Sequence, residues 1–162
     1  ARNERVWKAT YSLVSLVGIV MLFRGYLAVR VESIWLYTPP VWTRHLAALL
    51  LLPTFVLFLA PYFPGRIKSA FGHPQLVAVK LWATAHLMAN GRLVDLVLFG
   101  SFLVWAVADR ISMGRRQQRS VPGAPASPAN DIILVVLGLG LYAGMVLWAH
   151  LSWFGVAPLP IG

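Results

Sequence analysis

The chain has 162 residues, 59% of them hydrophobic and 12% charged, a net charge of +9 and no cysteine. Soluble domains carry about 25% charged residues, so the depletion here marks a chain that resides in a lipid bilayer. The missing thiols exclude disulfides, thiolate metal sites and cysteine nucleophiles. The basic excess has no interleaved aromatic stripe, which argues against nucleic acid and for loops that set membrane topology.

Apolar runs near the roughly 20-residue length of a bilayer crossing predict an all-α, polytopic transmembrane bundle with five spans in one domain. The first covers 6–28, with Lys8 and Arg24 near its ends, where long side chains snorkel to water. Pro39-Pro40 closes the connection that follows. The second span covers 43–62, is ended by Pro61 and Pro64-Gly65, and is kinked at Pro53. The third, 74–90, and the fourth, 92–108, are short and meet at Asn90-Gly91, a turn pair that predicts a tight helical hairpin. Residues 109–131, rich in Pro, Gly, Ala and Ser, read as a flexible linker. The fifth span covers 132–153, and Gly140 and Gly144 in small-xxx-small spacing predict close helix packing there.

Topology follows from Lys and Arg. With the start in the cytoplasm, that side holds nine of them, from Arg2, Arg5 and Lys8 through Arg66 and Lys68 to Arg110, Arg115, Arg116 and Arg119. The other side holds three, Arg30, Arg44 and Arg92. The asymmetry predicts Ala1 inside and Gly162 outside.

That orientation places His45, His86 and His150 near one outer level, with His73 alone at the inner start of the third span. Imidazole is the common protein ligand of haem iron and suits other first-row metals. His86, with Trp82 behind it and Asn90 four residues ahead to orient the ring, is the leading candidate. His45 and His150 are the fallback ligands, although both also suit an interface as plain amphipathic residues. Lys80 lies deeper, where a charge costs about 2.5–3.5 kcal/mol on insertion scales. It therefore calls for a partner: a haem propionate, Asp95 or Asp109. His73 and Lys80, seven residues apart, share a helix face. No paired carboxylates, HExxH motif or phosphate-gripping loop is present, so any chemistry depends on a cofactor.

The segments WKATYSLVSLVG, YTPPVWTRHLA, FPGRIKSAFGHPQLVAVKLWATAHLMANG, LFGSFLVWAVADR and FGVAPLP resemble the NnrU family over nearly the whole chain. That family is similar to the zeta-carotene isomerases, membrane proteins that bind haem b. The resemblance implies that His86, in the Ala-His block, is an axial haem ligand. It also implies that a histidine in a further helix before Ala1 supplies the second. A setting in denitrification and nitric oxide metabolism is implied too, or isomerase-like chemistry on a hydrophobic substrate. The helix after the Ala-His block reads LVWAVAD and lacks the histidine the isomerases carry there. His73-Pro74 also resembles the Arg-His-Pro signature of membrane methyltransferases that use S-adenosylmethionine, with Gly72 in place of the arginine. Three classes therefore stand side by side: a haem protein, a methyltransferase, and a non-catalytic membrane partner subunit.

Overall fold

The computed structural model describes residues 2–116 and 121–159. Eight α-helices follow one another: α1 (Arg2–Arg30), α2 (Trp42–Leu51), α3 (Thr54–Leu59), α4 (Arg66–Ala70), α5 (Pro74–Ala89), α6 (Leu93–Met113), α7 (Asn130–Gly144) and α8 (His150–Phe154). A short 3₁₀ turn, Ala60–Tyr62, ends α3, and a π-helical turn, Met145–Ala149, joins α7 to α8. Among the described residues four stretches are long and apolar enough to cross a membrane: Asn3–Arg30, Trp42–Tyr62, Leu93–Met113 and Asn130–Phe154. The predicted third span is α5, which at 16 residues is shorter than these. It packs against α2, α3 and α6, and none of its residues is exposed.

The predicted kink lies at Pro53. With no N–H there, the chain breaks between α2 and α3, and the Pro53 carbonyl restarts the ladder by accepting from Leu57 N (2.9 Å). The Asn90-Gly91 turn also forms as predicted. The connection from α1 lies across it: Gly91 O accepts from Leu36 N (2.8 Å), and Ile34 O accepts from Leu93 N (2.8 Å). A Cβ at residue 91 would run into the Tyr37 carbonyl, so this close approach of two backbones requires glycine.

Two arginines, Arg30 and Arg92, close helix ends. The Arg92 guanidinium donates to the carbonyls of Arg30 and, at 3.2 Å, Val31, and stacks 4.4 Å over the Trp35 ring. Arg30 in turn donates to Phe154 O at 2.9 Å. Each cation thus satisfies carbonyls at the C-terminal end of another helix and opposes its dipole.

The small-residue expectation is corrected in one respect. Gly140 and Gly144 have open space around them, and the glycine of close approach is Gly138. A Cβ at residue 138 would lie 2.7 Å from Val56 N and 2.8 Å from Val56 Cα. There α7 lies directly on α3, around a core of Val56, Ala60 and Leu134. Helix rotation decides which glycines face a neighbour, and spacing alone does not reveal it.

Residues 109–131, read as a flexible linker, divide into two described parts. The first five are the last turn of α6. Further on the chain is pinned to the end of the second span: Ala124 N donates to Tyr62 O (2.8 Å), and Asn130 Nδ2 to Pro64 O (2.8 Å) and Pro125 O (3.0 Å). The Asp131 carboxylate accepts from the N–H groups of Arg66 (2.9 Å) and Ile67 (3.1 Å), two orphan donors at the start of α4. Asp131→Ala should therefore cost about 0.5–2 kcal/mol, as loss of a helix cap does. A thermal transition unchanged from wild type would show that the cap carries no stability.

Candidate functional site: two imidazoles in an aromatic cage

At the end of the bundle where α5 finishes, four helices contribute aromatic rings to one cluster. Trp82 and His86 come from α5, Phe99 and Phe102 from α6, His150 and Phe154 from α8, and Phe23 and Tyr26 from α1. Trp82 meets Phe99 and Phe102 edge-on, with centroids at 5.0 and 5.3 Å. Phe99, itself buried, lies nearly parallel to the His86 ring at 4.5 Å. Phe154 contacts both His150 (5.0 Å) and Phe23 (5.3 Å).

The two histidines are held in the same way. His86 Nδ1 lies 2.8 Å from the Trp82 carbonyl, one turn back in its own helix. His150 Nδ1 lies 2.7 Å from the Val156 carbonyl. A carbonyl only accepts, so each Nδ1 carries the proton, and in each neutral ring Nε2 keeps its lone pair. That is the tautomer and orientation of a metal-ligating histidine whose second nitrogen is fixed by a backbone oxygen. The Val156 carbonyl reaches back because Gly155 takes a left-handed conformation (φ 68°), which turns the chain over the end of α8.

The rings lie 6.4 Å apart between centroids, with planes 25° from parallel. A histidine–metal bond is about 2.0–2.1 Å and the ring centre lies roughly 1.1 Å beyond the nitrogen, so two imidazoles in trans on one ion have centres about 6.3 Å apart. The separation of the two ring centres is close to that value. No group of three or more His, Asp or Glu suited to an ion occurs among the described residues. A closed zinc site would need more protein ligands. The π turn immediately before His150 adds to this, since such turns interrupt the α register and occur at functional sites.

The remaining sequence candidates fall in different places. His45 is exposed on α2. His73 caps the start of α5, and the thirteen residues to His86 correspond to about 20 Å along the axis. Asn90 does not orient the His86 ring. Its Nδ2 donates to the His86 backbone carbonyl (2.9 Å) and closes α5, while the Trp82 carbonyl takes the ring. Lys80 is half-buried and makes no hydrogen bond or ion pair among the described residues. The two acids expected beside it are engaged elsewhere: Asp95 accepts from the Tyr26 hydroxyl (2.7 Å), and Asp109 pairs with Arg116 (3.6 Å).

Sequence reasoning missed Phe99, Phe102, Phe154, Phe23 and Tyr26. Phe99 and Phe102, three residues apart, share a helix face, but the partner of that face depends on tertiary packing.

No curated protein and no solved structure is significantly similar to the chain. The family model for NnrU protein matches residues 1–158 of the 162. Over almost its entire length, then, this helical membrane protein belongs to the NnrU family.

Proposed function

We propose that the protein is a haem-b membrane protein in which His86 and His150 would hold the iron. The observation that carries this reading is the imidazole pair: two rings on separate helices, each with Nδ1 tied to a carbonyl, at the spacing of ligands in trans. The apolar aromatic surround supports it, since it excludes water and suits the edge of a macrocycle. A haem held there would supply a redox-active iron, its potential tuned by burial and by the ring hydrogen bonds. His86 and His150 would hold the metal, the Trp82 and Val156 carbonyls would raise the basicity of the two rings, and Phe99 buttresses His86. Nitrogen-oxide metabolism is the setting that the NnrU resemblance adds. The test is haem content: protein purified from haem-replete cells should carry one haem b per chain. Well-folded protein with no haem would end the reading in favour of a partner subunit or a methyltransferase.

We further propose a cytoplasmic start and an outer C-terminus in the bacterial inner membrane. The nine-to-three asymmetry supports this, and the helix-capping roles of Arg30 and Arg92 account for two of the three outer exceptions. A reporter fused after Met113 should be active only inside; activity on the outer face would reverse the topology.

A further inference from the structure

The ring of His150 is oriented from beyond the end of its own helix, and α1 supplies the means. Phe23 and Arg30 lie seven residues apart on α1, two helical turns, and so share a face. Both grip one residue at the end of α8. The Phe23 ring meets Phe154 edge-on at 5.3 Å, and the Arg30 guanidinium donates to Phe154 O at 2.9 Å. That carbonyl belongs to the peptide unit joining Phe154 to Gly155. The N–H of the same unit donates to Leu151 O at 2.9 Å. With both its polar groups engaged, this planar unit is fixed in orientation. Gly155 follows in its left-handed conformation (φ 68°, ψ 19°). The Val156 carbonyl then lies 2.7 Å from His150 Nδ1. His86 has no such dependence, because its Nδ1 partner is the Trp82 carbonyl of its own helix.

We propose that Arg30 is the positioning residue of His150, a clasp from α1 that decides which ring nitrogen of His150 carries the proton. A guanidinium donor makes a stronger bond to a carbonyl than a neutral donor does, and more so away from water. The end of α1 from which Arg30 reaches is itself held, since Arg92 donates to the carbonyls of Arg30 and Val31. Without the guanidinium, the Phe154–Gly155 peptide unit loses one of its two anchors and swings, and the Val156 carbonyl leaves the ring. Nothing then keeps the proton on Nδ1, and it moves to Nε2, the nitrogen that a metal requires bare. The clasp stands on the geometry of the ring alone; that the bare Nε2 serves an iron rests on the haem reading.

The test is nitrogen-15 NMR of the full chain in nanodiscs, free of metal and labelled at its four histidines. The His150 signals are assigned by their loss in His150→Gln. The shifts of the two ring nitrogens report which one is protonated, so the spectrum reads the tautomer ratio directly. Wild type should hold the proton on Nδ1 in both His86 and His150. In Arg30→Gln the His150 ratio should move about threefold to tenfold towards Nε2–H, the loss of one hydrogen bond, while His86 stays as in wild type. Arg30→Lys, which restores a cationic donor, should recover most of the wild-type ratio. Gly155→Ala, strained at its positive φ, should shift His150 alone in the same direction, and it tests the chain of contacts even if Arg30→Gln fails to fold. A wild-type His150 ratio in either variant would reduce Arg30 to a helix cap. Equal shifts in His86 and His150 would mean general loosening of the bundle. Either result overturns the proposal, and because no metal is present its failure is distinct from that of the haem reading.

Discussion

His86→Ala and His150→Ala should each abolish six-coordinate haem binding, while His45→Ala leaves it intact. Loss of a mere outer-shell partner of a metal ligand costs about 10–100-fold in affinity; loss of the ligand itself should cost at least as much. The difference between the two outer-level histidines follows from position. His150 stands 6.4 Å from His86 between ring centroids, whereas His45 is exposed on α2. Absorbance of the purified variants, beside their helical content, reads the result. A six-coordinate spectrum that survives His150→Ala would assign the second ligand to another residue and leave the pair a structural contact.

The second large effect is expected at Gly138. Even alanine there places a Cβ against the backbone of Val56, which a side-chain rotation cannot relieve. Gly138→Ala should cost about 1–3 kcal/mol, the range for overpacking, and Gly138→Leu more, by driving α7 off α3. Gly140→Leu and Gly144→Leu should be tolerated, since both positions open on empty space. Unfolding of the detergent-solubilised variants gives the comparison. Equal losses at all three glycines would mean that Gly140 and Gly144 pack against something as well. Because α7 leads through the π turn into His150, Gly138→Ala should also loosen haem, to a smaller degree than His150→Ala.

Much of this architecture was legible in the sequence because membrane helices obey few rules. Apolar length located the spans, Pro53 the kink, and Asn90-Gly91 the hairpin. That His86 and His150 lie at one level of the bundle was legible too, from helix direction and residue count. Their approach was not. It depends on the rotation of α8, altered by a π turn that no sequence period announces, and on the fold-back at Gly155. The packing glycine was misplaced for a related reason: three glycines lie within seven residues, and only contact with Val56 distinguishes Gly138. The role given to Asn90 failed because its i,i+4 position offers both the ring and the carbonyl of His86, and helix termination takes the carbonyl. The pinning of residues 124–131 depends on Tyr62 and Pro64, far away in sequence, which local composition cannot report.

The central claim is that His86 and His150 would together hold one haem iron. Electron paramagnetic resonance of the oxidised wild-type protein tests it most directly, because the signal reports both the ligand number and the angle between the imidazole planes. With the planes 25° apart, the expected result is a rhombic low-spin ferric signal, the signature of two nearly parallel axial imidazoles. A high-spin signal, or the strongly anisotropic low-spin signal of perpendicular rings, would contradict the account.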